Sequence, residues 1–557
     1  MYSENKSVLQ LVSLLVAHRV RRAIVCAGSR SSPIAQSLAA CPDIETFPCV
    51  DERSAAFEAL GIMQVTGEPV AMCVTSGSAL MDASPAVAEA YYQELPLILI
   101  SADRPMAWID QKDGQTMRQA NALEHVVRCE VNLPSQDGPE EDWHRNRLIN
   151  EALLKATGPV PGPVHINVPL AEPLFGFGAT ELPLERSVRV VRPAGFALPD
   201  ELAGKWQESR RVLIVCGQMR PGTLDTKKAL AKLSGKAVLV MEHLANLDDL
   251  SASIDCADRA DLAILEGGEK LQTFRPDLVI SLGGHIVSKR FKKYLRSCPN
   301  LVHWLVSPNA ELTDTYTHLE TVLATEPNDF VKVLADLPLG ATDRDFIHFW
   351  TMESRKIRTK LKSSPGDFAD VHLVGTFLRN MPENACLHLA NSSVVRHAQY
   401  WELPRGTRVF CNRGINGIDG SLSAALGNAE ALEAYGTDVY CLIGDLSFFY
   451  DQNALWRTRL PKNLHVLLFN NKEGNIFRTL DGLASPYLRS HIAGANNLRA
   501  KDMCRGFGLH YACAENMDAF ERILPDFIKG PAPTLLEVVT DPVRDAQACK
   551  ELNASLL

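Results

Sequence analysis

The sequence contains no Cys-x-x-Cys pair, no G-x-G-x-x-G turn, no excess of basic charge and no apolar run near the roughly 20 residues that span a bilayer. Each absence removes a class. Without paired cysteines, the 14 that are present are neither zinc ligands nor a disulfide framework, and they read as reduced core thiols of a cytoplasmic protein. Without the glycine fingerprint, a bound NAD or FAD is not expected, although Gly283-Gly284 resembles the turn at such a crevice. A net charge of −9 leaves no global attraction for nucleic acid, so any anion must be met by local clusters. The apolar stretch Val8–Ala17 has no basic segment before it and no small-residue cleavage site after it; its spacing predicts an amphipathic helix rather than a signal peptide.

What is present is a repeated alternation. At 557 residues the chain exceeds one hydrophobic core and predicts about three domains, placed at 1–185, 186–361 and 362–557. In the first, Arg22–Cys26, Val70–Thr75, Leu95–Ser101 and Val164–Val168 are short apolar runs separated by helical stretches. In the second the runs are Val212–Cys216, Ala237–Met241, Leu278–Leu282 and Leu301–Val306, after a Pro-containing linker at Arg186–Pro199. The third offers Cys386–Leu389, Arg408–Cys411, Val439–Ile443, Leu464–Phe469 and Thr534–Val539. Such spacing predicts α/β domains with parallel sheets covered on both faces, the first and third sharing one layout.

The strongest chemical signal lies in GDLSFFYDQNALWRTRLPKNLHVLLFNNKEG, residues 444–474. Gly444-Asp445-Leu446 ends one apolar run and Asn470-Asn471 ends the next, so two strand ends are brought side by side, where parallel sheets bind ligands. One carboxylate, one amide oxygen and turn carbonyls form an all-oxygen set suited to Mg²⁺, which leaves other positions to water or phosphate. Each piece alone has an ordinary reading, Asp445 as a helix cap and Asn470-Asn471 as a turn. The combination is what points to a metal-bridged diphosphate.

A second candidate is Glu52 in Val50-Asp51-Glu52-Arg53, opening a helix over Ser54–Met63; alone it is an acidic residue favoured at a helix start. Arg30, Arg104, Arg290, Arg396 and Arg413, with Lys289, all stand at expected strand ends. Singly these are surface residues, and Lys289-Arg290 with Lys292 and Lys293 reads equally as a solvated helix face. Together they form a rim able to meet several carboxylates.

The Gly-Asp, spacer, Asn-Asn arrangement resembles the thiamine-diphosphate motif. GSRSSP, VDER, VTSGSA, SADRP, Lys289-Arg290, NSSVVR, NRGINGIDG and GDLSFFYD, in this order over nearly the whole chain, resemble the 2-succinyl-5-enolpyruvyl-6-hydroxy-3-cyclohexene-1-carboxylate synthase family. These are thiamine-dependent enzymes of menaquinone biosynthesis that join 2-oxoglutarate to isochorismate with loss of CO₂. The resemblance implies pyrimidine-binding, central and diphosphate-binding domains in that order, and a homodimer or homotetramer with active sites between subunits. It implies Mg²⁺ or Mn²⁺ on Asp445, Asn471 and the carbonyl of Glu473. Cofactor contacts would come from Glu52, Gly444, Asp445, Leu446, Ile418, Asn471 and Ser392, with Glu52 beside the pyrimidine N1′ as the catalytic carboxylate. Ser392, Arg396 and Arg413 would receive 2-oxoglutarate, while Arg30, Arg104, Gln115, Lys289 and Arg290 would face isochorismate. Ile476, Phe477 and Leu480 would form an apolar wall, though core packing explains them equally.

Three positions depart from the family pattern. Ala27 stands where a Pro is usual, Gly114 where an Asn is common, and Asn416 where a small residue is usual. Two other functions stay open on the sequence: another thiamine-dependent 2-oxo acid decarboxylase or acetolactate-synthase-like carboligase, and a non-catalytic binding protein of the same fold. The arginine set speaks against the first; the presence of Glu52, Asp445 and Asn471 together speaks against the second.

Overall fold

A computed structural model describes residues 1–191, 195–251, 253–364, 366–480 and 482–556. Among the described residues seventeen strands form three sheets, and every pairing within them is parallel. The first sheet holds β1 (Arg22–Cys26), β2 (Glu45–Cys49), β3 (Val70–Val74), β4 (Leu97–Asp103), β5 (Cys129–Asn132) and β6 (Val164–Pro169), in the order β2-β1-β3-β4-β6-β5. The second holds β7 (Val212–Cys216), β8 (Ala237–Met241), β9 (Leu278–Leu282), β10 (Val302–Val306) and β11 (Leu319–Leu323), ordered β11-β10-β9-β7-β8. The third holds β12 (Cys386–Leu389), β13 (Arg408–Phe410), β14 (Val439–Gly444), β15 (Leu464–Asn470), β16 (His510–Ala514) and β17 (Thr534–Val539), ordered β13-β12-β14-β15-β17-β16. Renumbered from their own first strands, the first and third orders are identical.

The central strands are apolar because helices cover both faces: β3, β4 and β15 are buried at every residue. Four strands carry no clear apolar run, namely β2, β5, β11 and β16, and all four are sheet edges. Their exposed residues, with Pro48 inside β2, replace the continuous apolar run by a mixed one. The linker at Arg186–Pro199 has no helix or strand at 186–191 and 195–199, and its residues 192–194 lie outside the described residues. The amphipathic N-terminal segment is a helix, Lys6–Ala17, with Asn5 accepting from the Val8 amide as its cap. Among the described residues no helix is long and apolar enough to cross a membrane.

The first and third sheets are joined through two helices, Glu52–Thr66 and Ser421–Glu433. Glycines let them touch backbone to backbone: a Cβ on Gly61 would stand 2.0 Å from the Ala424 carbonyl oxygen, and one on Gly427 would stand 2.1 Å from that of Glu58. Asn428 Nδ2 also donates to the Gly61 carbonyl at 2.8 Å. Polar contacts extend the seam, with Arg53 donating to the Tyr450 carbonyl at 3.0 Å and Asn453 to Asp51 at 2.7 Å. The VDER and GDLSFFYD motifs are therefore packed against each other within one chain.

Candidate active site

In the third sheet the chain leaves β12 toward one edge and returns through β14 on the other side, so the crevice lies between the carboxyl ends of β12 and β14. Asn391-Ser392 follows the first of these strands and Gly444-Asp445 the junction after the second. Asp445 is buried, and burial pushes its carboxyl up to about 6. It accepts from Asn496 Nδ2 at 2.9 Å and from the Leu446 amide at 2.8 Å, and among the described residues it makes no ion pair. A buried carboxylate without a cation is costly, and a divalent ion would offset that cost.

The two asparagines divide their tasks as alternate residues at a strand end do. Asn470 turns into the core, where its Nδ2 donates to the Leu498 carbonyl at 2.9 Å and to Glu537 at 2.6 Å. Asn471, also buried, donates through Nδ2 to Asp545 at 3.1 Å, and its Oδ1 accepts a long 3.4 Å contact from the Glu473 amide. The Glu473 side chain is buried and paired with Arg478, which leaves its backbone rather than its carboxylate for the crevice. No group of three or more His, Cys, Asp or Glu side chains suits a metal among the described residues. The set that fits a hard cation here is the mixed one, carboxylate, amide oxygen and carbonyl. At Gly444 nothing lies within 4 Å of an added Cβ, so the junction is open beside that set.

Around this point the NSSVVR and NRGINGIDG segments interlock. Ser392 is left-handed (φ 78°), and Arg396 donates to its carbonyl. Arg413 is buried and donates to Asn391 Oδ1 at 3.0 Å, while its Nε has no partner among the described residues. Asn391 in turn donates to the Gly417 carbonyl at 2.7 Å, and Ser447 donates to the Ile418 carbonyl at 2.7 Å. Ile418 is thus tied directly to the helix that begins at Asp445. Burial, and then the Arg413 charge, lowers the Arg396 pKa.

A cavity of 450 Å³ opens between the second and third sheets' loops. Lys289, Arg290, Arg396, Ile476 and Leu480 all line it, beside Asp261, His397 and Tyr400. Arg290 pairs with Asp261 at 2.9 Å. Phe477 is not among the lining residues and stands over Gly474, where an added Cβ would approach its ring to 3.0 Å.

Arg30, Arg104 and Gln115 form a separate group on the first sheet. Arg30 is buried, donates to the Leu170 carbonyl at 3.0 Å and pairs with Glu172 at 3.3 Å; Arg104 pairs with Asp113 at 3.4 Å. Burial and the Arg104 charge lower the Arg30 pKa. Gln115 is left-handed (φ 55°) and lies 3.7 Å from the Cβ that Gly77 lacks. Nothing within 4 Å would meet a side chain at Gly114, so that departure leaves open space. Glu52 opens its helix, and burial, with help from Asp82 and Asp51, raises its pKa. Within one chain its carboxylate makes no hydrogen bond to Asp445 or Asn471.

Asn496, Asp545 and Glu89 stand outside every motif of the sequence. Each acts on a residue far away along the chain, and none belongs to a local pattern that could have marked it.

A three-domain chain with a Gly-Asp and Asn-Asn site at the third sheet's crevice is a thiamine pyrophosphate enzyme by class. Three family models match in order: "Thiamine pyrophosphate enzyme, N-terminal TPP binding domain" at residues 8–123, "Middle domain of thiamine pyrophosphate" at 196–389, and "Thiamine pyrophosphate enzyme, C-terminal TPP binding domain" at 391–538. Curated proteins named 2-succinyl-5-enolpyruvyl-6-hydroxy-3-cyclohexene-1-carboxylate synthase match over almost the full length. That of Phocaeicola vulgatus is 40% identical over 99% of this chain and 98% of its own, and that of Bacteroides thetaiotaomicron 39% over 99% of both. That of Flavobacterium johnsoniae is 34% identical over 95% of both. The chain belongs to the 2-succinyl-5-enolpyruvyl-6-hydroxy-3-cyclohexene-1-carboxylate synthase family.

Proposed function

We propose that this chain decarboxylates 2-oxoglutarate with thiamine diphosphate and adds the succinic semialdehyde unit to isochorismate, giving 2-succinyl-5-enolpyruvyl-6-hydroxy-3-cyclohexene-1-carboxylate and CO₂ in menaquinone biosynthesis. The observation that carries this reading is the cavity that gathers Lys289, Arg290 and Arg396 against the apolar Ile476 and Leu480. Two dicarboxylate substrates need that density of cationic side chains, and guanidinium forks match carboxylates bidentately. A simple pyruvate decarboxylase has no use for it.

In this reading residues 1–185 bind the pyrimidine, 186–361 form the central domain and 362–557 bind the diphosphate. Asp445, Asn471 and the carbonyl of Glu473 would hold Mg²⁺ or Mn²⁺, with Gly444 and Leu446 beside the diphosphate and Ile418 under the cofactor. When bound, thiamine diphosphate supplies a nucleophilic carbon and an electron sink for the carboxylate lost as CO₂. Glu52 would hold a proton at the pyrimidine N1′, a role favoured by its raised pKa. Ser392, Arg396 and Arg413 would bind and orient 2-oxoglutarate. Lys289 and Arg290 of one chain, with Arg30, Arg104 and Gln115 of a second copy, would bind isochorismate. Ile476 and Leu480, with Phe477 behind them, would exclude water. This reading is completed by a homo-oligomer whose sites lie between subunits, Glu52 from one and Asp445 from the other.

The test is CO₂ release from purified protein with thiamine diphosphate and Mg²⁺, given 2-oxoglutarate with and without isochorismate. Release that depends strongly on isochorismate is the expected result. Release that ignores isochorismate makes it a simple decarboxylase, and none with any 2-oxo acid makes it a binding protein.

A further inference from the structure

An asparagine amide presents two nearly isosteric ends, and only its oxygen binds a hard cation. Which end faces the crevice is decided by what stands behind it. Behind Asn471 stands Asp545, 74 positions later in the chain, near the start of the helix Pro542–Leu556. Its side chain is 1% exposed, so water does not compete for it.

The contacts of Asp545 fix its own orientation. Its Oδ1 accepts from the backbone amide of Asp370 at 3.0 Å, a donor that cannot reverse its role. Its Oδ2 accepts from Thr540 Oγ1 at 2.6 Å and from Asn471 Nδ2 at 3.1 Å. An accepting oxygen at that place requires the NH₂ of Asn471, which leaves Asn471 Oδ1 on the side of the Glu473 amide. We infer that Asp545 is a positioning residue for the cofactor metal: it selects the amide rotamer that makes Asn471 an oxygen ligand. The inference rests on the reading of Asn471 as a metal ligand.

The geometry dictates what Asp545→Asn would do. The new amide keeps its oxygen on the Asp370 N–H, so its NH₂ takes the place of Oδ2. Two NH₂ groups then face each other, Asn471 turns over, and its NH₂ points at the cation.

The test is Mg²⁺ affinity by isothermal titration calorimetry of the full chain at fixed thiamine diphosphate, with no turnover involved. Asp545→Asn is expected to weaken Mg²⁺ by roughly 10- to 100-fold, the range for residues that orient a metal ligand. Exchanging the two groups, Asn471→Asp with Asp545→Asn, restores a donor facing an acceptor and is expected to recover most of the loss. Asn471→Asp alone sets two carboxylates face to face and should bind more weakly than the exchanged pair. Unchanged affinity in Asn471→Ala overturns the ligand reading itself. Weak binding in Asn471→Ala with normal binding in Asp545→Asn overturns the inference alone. Should Asp545→Asn fail to fold, the exchanged pair decides: failure to exceed Asn471→Asp overturns the inference.

Discussion

Glu89 and Gly414 meet across 325 positions of chain, the glycine amide donating to Glu89 Oε1 at 2.6 Å. The other carboxylate oxygen accepts from the Ile415 amide at 2.7 Å, and Gln93 donates to Oε1 at 2.6 Å. Gln218, from the second sheet's loops, reaches both Gln93 at 3.2 Å and the Cys411 carbonyl at 3.0 Å. The turn that presents Arg413 is thus pinned by the other two thirds of the chain.

Glu89→Ala should therefore loosen the turn while leaving the metal set alone. It strands the buried Gly414 amide, at about 1–3 kcal/mol, and removes the acceptor of the less buried Ile415 amide. The expected outcome is a lower melting temperature together with a raised KM for 2-oxoglutarate and little change in thiamine diphosphate affinity. Thermal melts and steady-state kinetics on the same preparation check it; a loss of cofactor affinity as large as the KM change would show that the turn does not act through Arg413.

Gly61→Ala tests the seam between the two cofactor-binding thirds. The added methyl would stand 2.0 Å from the Ala424 carbonyl oxygen, inside any van der Waals contact, so the helices must separate. Overpacking of this kind costs about 1–3 kcal/mol. Calorimetry should show a lowered transition temperature, whereas Gly506→Ala, with nothing within 4 Å of the new Cβ, should leave it near the parent value.

What could be read in the sequence follows from what burial does to it. Central parallel strands such as Leu464–Asn470 are buried on both faces, so they are written as apolar runs whose ends locate Asp445 and Asn471. Edge strands such as Glu45–Cys49 carry exposed residues and a proline, and leave no such run. The same contrast holds at the candidate site. Asp445, Asn471 and Arg396 sit in local motifs at strand ends and were legible there. Asn496, Glu89 and Asp545 act across 51, 325 and 74 positions, a distance over which periodicity carries no information. The division of the basic rim into a cavity group and a first-sheet group was equally invisible, because strand ends alone do not say which loops face one another.

Asp451 gives the stability a pH dependence whose sign is fixed. Its carboxyl is fully buried, accepts from Ser423 N and Oγ at 2.7 Å each, and burial pushes its pKa from 3.8 up to about 7. Arg53, 3.7 Å away, opposes that rise and Asp51 adds to it. The folded state therefore keeps a proton that the unfolded chain releases between about pH 4 and 7, so this group's contribution to stability falls as pH rises through that window, by about 1.4 kcal/mol per unit. Asn in its place can accept from the Ser423 amide and donate to its hydroxyl, and does not titrate. The melting temperature of Asp451→Asn relative to the parent should climb from pH 5 to pH 7; a constant difference across the series would exclude Asp451 as the titrating group.

Arg396→Ala separates substrate binding from cofactor binding. Arg396 lines the cavity, and burial together with the neighbouring Arg413 makes its charge costly until an anion arrives. A substrate carboxylate relieves both terms, so the loss of its charge-assisted hydrogen bonds should cost about 1.5–3 kcal/mol, roughly 10- to 150-fold in KM for 2-oxoglutarate. Arg396→Lys should recover little of this, since a point charge cannot reproduce the planar fork. Thiamine diphosphate affinity should move far less than this KM, because Arg396 makes no hydrogen bond to Gly444, Asp445 or Asn471 and reaches Ser392 only at its backbone carbonyl, leaving the Ser392 hydroxyl in place. An unchanged KM in Arg396→Ala would take this residue out of 2-oxoglutarate recognition and leave Lys289 and Arg290 as the cavity's anion-binding groups.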